Sequence, residues 1–403
     1  MRGTLALATG SLLAALIASE LVLRAVLPPW RGYFVNEPGL EWTVTSIPLG
    51  GSAAIARFHV NQFGIRGRTF GDDRTEYRFL AVGGSTTECG LQDDSIVWTH
   101  LVEVGLERTT DGRRVWVGNV GRDGTNTRDH VLQLKYLLAQ YPRIDVVIAL
   151  VGVTDMLSAL RQGWDYRLPA PVTERSAADA QLRHAFALVP GDVGLPWYKT
   201  TGWWQLGKRV KLAWQRRRTF TLTNGASGLE RARLRRMGGT LSDSLPPLDK
   251  PLIEYRRNLR AMADQAAAAG ASIVFVTQPT AWRREMTDTE QRRLWMGWLG
   301  ADWSSARRYY TTDALRRAMA AYNAILLDVC RERSLRCLDA ARLLPQDSTV
   351  FIDDTHFTNR GSRLLGKALA TQLGDRPPFR RPGDPVVEPT TGPKASLRPD
   401  GGI

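Results

Sequence analysis

A serine stands directly after two glycines, Gly83-Gly84-Ser85, at the end of the apolar run Tyr77 to Val82. Paired glycines let a chain turn sharply as it leaves a strand and expose the next side chain at the sheet edge. A hydroxyl so placed can act as a nucleophile, and its own N–H can face an oxyanion. Far along the chain, Asp353-Asp354-Thr355-His356 lies in a polar stretch just before the helical pattern Asn359 to Leu373. An aspartate three residues before a histidine can fold back onto the imidazole N–H, fix its tautomer and make the ring a general base. Asp354 competes for that role, and the three-residue offset favours Asp353. Two further polar blocks follow apolar runs: Asn119-Val120-Gly121-Arg122-Asp123-Gly124-Thr125 and Gly152-Val153-Thr154-Asp155. Each offers backbone N–H groups or short polar side chains. Taken singly these patterns are common in turns and helix caps; their value lies in their order and placement.

Five segments read as buried parallel strands: Tyr77 to Val82, Val115 to Asn119, Ile144 to Val151, Ser272 to Thr277 and Arg336 to Leu338. They are short and rich in β-branched or large apolar residues. Helical patterns separate them at Ile96 to Leu106, Arg128 to Gln140, Ile253 to Ala269, Thr312 to Arg333 and Asn359 to Leu373, with Gly270 as a stop and Thr311 or Thr312 as an N-cap. Alternation of this kind predicts an α/β domain, a three-layer α/β/α sandwich around a mainly parallel five-stranded sheet. In such sheets ligands bind beyond the carboxyl ends of the strands, which is where all four blocks fall. The predicted domain covers residues 76–375. Within it, 160–250 breaks the rhythm and reads as a partly helical, cap-like insertion carrying Trp164, Trp197, Trp203, Trp204 and Trp214. Residues 28–75 form a leader segment. The tail 376–403, rich in Pro, Gly and charge, reads as disordered.

The four blocks in this order resemble the SGNH (GDSL-like) hydrolase family, over about Tyr77 to Leu373 without the insertion. The resemblance implies a flavodoxin-like SGNH fold and a serine esterase. It implies Ser85 as nucleophile, His356 as base and Asp353 as its orienter. It further implies an oxyanion hole formed by the N–H of Ser85, the N–H of Gly124 (Gly121 being the second choice) and the residue at Thr154. The family usually has Asn at that last position. Thr replaces an amide donor with one shorter hydroxyl donor, a departure that bears on activity because losing one such donor costs about 3–4 kcal/mol in known cases. Two other motifs, Asn61-Gln62-Phe63-Gly64-Ile65-Arg66-Gly67 and Thr277-Gln278-Pro279, are similar to elements of a membrane-anchored branch of the family. Arg66 is expected to pin the leader to the domain. No cofactor or metal is implied. Three functions follow: an esterase of cell-envelope or polysaccharide acyl groups, an O-acyltransferase modifying an exported glycan with the same triad, or a non-catalytic envelope protein retaining the fold.

Gly3 to Leu27 is uncharged but for Glu20 and Arg24, which lie four apart on one helix face and can pair. The length suits a spanning helix. Leu16 is a poor fit to the small-residue pattern of a cleavage site after Ala18, so residues 1–27 are expected to be an uncleaved, single-pass anchor. Pro28 and Pro29 end it, and Trp30 and Tyr33 suit the lipid boundary. The catalytic domain is placed outside the cytoplasm. The expected partners are the membrane and a carbohydrate or lipid acyl ester. The net charge of +14 is spread along all 403 residues without a zinc-finger, RRM or helix-turn-helix pattern, so nucleic acid is not expected. The stretch Lys208 to Arg218 interleaves basic with apolar residues, more like a membrane-facing helix than a nucleic-acid arm, with a solvated helix face as the alternative. Cys89, one turn past Ser85, is expected to pack rather than react. Cys330 and Cys337 can pair if the domain is exported; so sparse a set is more often unpaired. The remaining histidines, His59, His100, His130 and His184, show no metal-ligand spacing.

Overall fold

The structure, a computed structural model, describes residues 2–27, 31–45, 55–171, 181–190, 197–215, 218–221, 223–300 and 302–379. Helix α1 (Arg2–Val26) leads into a strand pair, β1 (Glu41–Thr45) and β2 (Ile55–His59). The α/β alternation follows: β3 (Glu76–Gly83), the one-turn helix α2 (Ser85–Glu88), α3 (Trp98–Leu106), β4 (Arg114–Asn119), α4 (Thr127–Gln140), β5 (Val146–Leu150) and α5 (Val153–Gln162). Next come α6 (Gly202–Gln215), β6 (Arg218–Thr221), α7 (Thr223–Met237) and β7 (Thr240–Ser242). The chain then returns to alternation with α8 (Asp249–Ala268), β8 (Ser272–Val276), β9 (Arg308–Tyr310), α9 (Thr312–Glu332), β10 (Arg336–Leu338) and α10 (Asn359–Gly374).

The central sheet has the order β10-β8-β5-β3-β4, and every pairing in it is parallel. These are the five strands expected from the apolar runs. Successive side chains on a strand point to opposite faces, so each strand feeds two cores. Along β3, Leu80 and Val82 join one apolar cluster with residues of α4, α8 and α9. Phe79 and Ala81 join the other, with residues of α3 and α10. Helices on both faces give the three layers. The connection from β3 to β4 runs to one side and that from β4 to β5 crosses to the other, so the topological switch lies between β3 and β5. Ser85 follows the first of these strands and Thr154 the second.

Several local expectations meet their physical limits here. Two small sheets, β2-β1-β6 and β7-β9, had no alternating signal strong enough to read. The 160–250 segment is not wholly outside the core: Leu182, Ala185 and Phe186 are buried in the main cluster, and the Gln133 amide donates to the Ala185 carbonyl at 2.9 Å. Residues 376–379, expected to open the disordered tail, are placed against the domain. Phe379 packs edge-on against Tyr77 at 5.5 Å between ring centroids, and Thr110 N–H donates to the Pro378 carbonyl; residues 380–403 lie outside the described residues. Pro28, Pro29 and Trp30 also lie outside them. Tyr33, expected at the lipid boundary, stacks on Tyr136 at 4.1 Å. Cys330 and Cys337 form a disulfide between the end of α9 and β10.

Candidate active site

Ser85 begins α2, directly beyond β3. The turn depends on two glycines with no room for a side chain. A Cβ at Gly83 would lie 2.2 Å from Thr87 Oγ1 and 2.4 Å from the Leu150 carbonyl oxygen. A Cβ at Gly121 would lie 2.2 Å from the Glu88 nitrogen, so the loop after β4 presses backbone to backbone on α2. Asn119 locks that contact: its amide donates to the Thr87 carbonyl at 2.6 Å, and its oxygen accepts the Gly121 N–H at 2.8 Å. Arg66, buried, holds the chain beyond α2. Its guanidinium donates to the carbonyls of Glu88 at 2.6 Å, Cys89 at 2.9 Å and Gln92 at 2.6 Å, and to the Asp94 carboxylate at 2.6 Å. The leader is thereby fixed to the segment behind the serine.

His356 reaches the same place from the loop before α10. Its Nε2 lies 2.8 Å from Ser85 Oγ, across 271 positions of sequence. Its Nδ1 lies 2.8 Å from Asp353 Oδ2. Asp353 Oδ1 also accepts the N–H of Thr355 and of His356, both at 3.0 Å, and Oδ2 accepts the indole N–H of Trp295 at 3.0 Å. Burial works against ionisation of Asp353, but the His356 ring overcomes it and holds the carboxyl below its usual range. On the histidine, burial favours the neutral ring. The Asp353 charge and hydrogen bond outweigh it and raise the imidazole to about 9.

Asp354 turns the other way. Its carboxylate accepts the Trp282 indole N–H at 2.7 Å and the backbone N–H groups of Trp295 at 2.8 Å and Met296 at 3.1 Å. Burial pushes its pKa up, Arg236 opposes this, and the Asp353 charge adds to it. Arg236, from α7, donates to the carbonyls of Met296 at 2.6 Å and Tyr310 at 2.9 Å. Trp282, Trp295, Asp354 and Arg236 thus support the Asp353–His356 pair. No local pattern marks them, since the Trp295–Asp353 bond spans 58 positions.

The oxyanion candidates differ in availability. The Gly121 N–H is taken by Asn119. The Gly124 N–H, on an exposed turn with φ +77°, has no acceptor among the described residues, and neither has the Ser85 N–H. Thr154 Oγ1 sits over the turn, 3.2 Å from where a Cβ on Gly84 would stand. Asp155 points elsewhere: its carboxylate accepts the Thr127 N–H at 3.1 Å and so ties α5 to the start of α4. Burial, only partly offset by the Thr127 bonds, pushes Asp155 up to about 7. Burial and the Asp123 charge likewise push Glu88 up to about 7.

Cys89 is buried, its thiol points at the Thr86 carbonyl at 3.2 Å, and burial pushes its pKa up to about 12; it is not poised to react. Gln278 sits at the end of β8 and accepts the Thr86 hydroxyl at 3.2 Å. Among the described residues no group of three or more His, Cys, Asp or Glu is placed to hold a metal ion. Among the described residues one helix is long and apolar enough to cross a membrane. Its window Thr9–Val26 has a mean hydropathy of 1.6 with none of it buried, as in an anchor or a signal sequence.

Residues 81–364 match the GDSL-like lipase/acylhydrolase family. No curated protein matches the sequence significantly. Among solved structures, similarity is found to an acetylxylan esterase from Geobacillus stearothermophilus, at 15% identity and a TM-score of 0.39, covering 74% of this chain and 95% of that one. An aryl esterase from M. smegmatis gives 12% identity and a TM-score of 0.38, covering 74% and 98%. An alpha/beta hydrolase from the metagenome of Lake Arreo gives 13% and 0.39, covering 76% and 97%.

Proposed function

The chain belongs to the GDSL-like lipase/acylhydrolase family, an ester-hydrolysing family, and from that premise we propose that it is a membrane-anchored serine esterase acting on acyl, including O-acetyl, esters of cell-envelope or polysaccharide substrates. Ser85 is the nucleophile, His356 the base and Asp353 its orienter. His356 Nε2 takes the hydroxyl proton as Ser85 Oγ attacks the ester carbonyl. The N–H groups of Ser85 and Gly124, with the Thr154 hydroxyl, receive the oxyanion. The imidazolium returns its proton to the departing alcohol oxygen. Water, deprotonated by the same ring, then releases the acid and restores the serine.

The single observation that carries this reading is the hydrogen-bonded series Ser85–His356–Asp353, with 2.8 Å at each ring nitrogen. The geometry matches the roles: a hydroxyl in reach of a base, and the base oriented by a buried carboxylate. Support for an extracytoplasmic domain is the disulfide, which persists in oxidising compartments. Support for an anchor is the exposed apolar helix that ends at Val26. The test is hydrolysis of aryl acyl esters and O-acetylated glycans by the full chain, with fluorophosphonate labelling in parallel. Wild type is expected to release acid and take the label, and Ser85→Ala to do neither. Label that persists in Ser85→Ala overturns the assignment, and transfer of acyl groups to an added glycan instead of water places the protein among O-acyltransferases.

A further inference from the structure

Helix α6 meets α1 at a specific depth. Glu20, two thirds of the way along the apolar window, accepts the N–H groups of Gly202 at 2.8 Å and Trp203 at 3.2 Å, and so caps the first turn of α6. Arg24 pairs with the same carboxylate at 2.7 Å. The crossing is close: a Cβ on Gly202 would lie 2.6 Å from Leu23 Cβ. At 1.5 Å per residue, Glu20 lies about 9 Å from the Val26 end of the window. If α1 spans, the start of α6 therefore cannot stand in bulk water; it sits at the boundary of headgroups and acyl chains.

The sequence of α6 suits that position. Trp203, Gly207, Val210 and Trp214 recur at spacings of four, three and four, which places them on one helix face. Trp203 is 49%, Val210 60% and Trp214 74% exposed, while Gln205 on the other side is buried. Lys208, Arg209 and Lys211 supply the charge, and the helix carries no acidic residue. Just before it, Trp197 and Tyr198 are exposed, and the Tyr198 ring meets the Trp204 ring edge-on at 5.6 Å. A water-soluble surface would not leave these aromatic rings exposed together. Indole rings beside lysine and arginine are the composition of a helix lying in an anionic bilayer surface, about 5–10 Å into the boundary.

We propose that α6, with the turn Trp197–Thr200, lies in the plane of an acidic-phospholipid bilayer as a second membrane contact, held at its depth by the Glu20 cap. The inference rests on α1 being a spanning anchor. It has a consequence for the catalytic domain, because β6 follows α6 directly and pairs with β1. The Trp42 indole on β1 donates to the Gly90 carbonyl at 3.2 Å, in the segment that leaves α2. The domain is thus held to the membrane by two elements, one of which connects through β6 and β1 to the Gly90 backbone, five residues past Ser85.

The test uses the full chain in vesicles of mixed zwitterionic and anionic phospholipid. A Val210→Cys variant carries an environment-sensitive fluorophore, with Val104→Cys on the exposed side of α3 as control. The native thiol Cys89 is buried and the other two cysteines are bonded. The Val210 probe is expected to be quenched by a shallow nitroxide lipid and shielded from iodide by roughly fivefold or more relative to the Val104 probe. Adding Glu20→Ala is expected to restore iodide access. Equal iodide access at both sites, with the protein still resistant to carbonate extraction, overturns the proposal and leaves the anchor standing. Shielding from iodide without lipid quenching also overturns it, in favour of contact with a second copy. Release by carbonate removes the anchor itself.

Discussion

Replacing Asp353 with asparagine keeps the size of the side chain and removes its charge. The wild-type His356 ring is raised from 6.5 to about 9, against the effect of its burial. At about 1.4 kcal/mol per pH unit this is roughly 3 kcal/mol in favour of imidazolium, the form the ring takes in the transition state. Loss of that stabilisation alone corresponds to about a hundredfold in rate. The amide also favours the wrong tautomer, which in the serine-protease triad brings the loss to about ten-thousandfold. The expected fall in kcat/KM for an aryl ester, compared at pH 9 and above where both rings are neutral, lies between these figures. The pH profile gives an independent reading. A base must be neutral to accept a proton, so the wild-type rate is expected to climb from pH 6 to about 9. In Asp353→Asn the burial that favours the neutral ring loses its main opponent, so the midpoint moves toward or below 6.5 and the profile is flat above pH 7. Ser85→Ala, measured in the same buffers, gives the uncatalysed background. Asp354→Asn, away from the ring, should keep the alkaline midpoint. An Asp353→Asn enzyme that stays within about threefold of wild type with its alkaline limb intact would refute the role given to Asp353.

Three further outcomes are expected. Thr154→Val removes the hydroxyl donor and should lower kcat by about ten- to a hundredfold with little change in KM, while Thr154→Asn should retain activity; ester kinetics distinguish them. The Asp155 carboxyl is raised in the folded state from 3.8 to about 7, so its contribution to stability is full below 3.8 and is lost as pH rises through 7. Chemical denaturation from pH 4 to 8 should therefore show a loss that is shallower in Asp155→Asn by up to roughly 4 kcal/mol, the share due to Glu88 remaining. The disulfide closes a short loop, its partners seven residues apart. Replacing both Cys330 and Cys337 with alanine should cost roughly 2 kcal/mol in non-reducing calorimetry and leave kcat unchanged.

Legibility in the sequence followed the range of the interactions. The five strands could be read because each is an apolar run that answers to burial on both faces, whatever its partner. Ser85 and His356 could be read because each carries a local signature, a glycine pair and a short Asp-to-His offset. The residues behind them could not. Trp295 donates to Asp353, and Trp282 to Asp354, from loops with no periodic pattern. Arg236 reads as one of many arginines on a basic segment until α7 is seen to hold the carbonyl of Met296. Glu20 shows the same limit. Its pairing with Arg24 follows from a four-residue spacing, but its capping of α6 joins positions 182 apart and gives α1 a packing partner.

The two adjacent carboxylates show how the fold separates roles that the sequence leaves together. Asp353 and Asp354 have the same side chain, and neither is exposed enough for water to settle its charge. What divides them is direction. Asp353 faces a ring that can become a cation, so its negative charge is favoured, and its fourth contact is the single indole of Trp295. Asp354 faces inward to one indole and two backbone N–H groups, with the Asp353 charge at its side raising its pKa. Strong coupling of both to one histidine would leave the proton on the ring less free to move. Turning Asp354 away confines it to fixing the backbone of Trp295, and hence the indole that steadies Asp353. Arg236 acts on the same backbone one residue later, from the segment inserted between α5 and α8. The insertion therefore contributes to the site through position rather than chemistry, and the proposed base is oriented by residues drawn from three separate stretches of the chain.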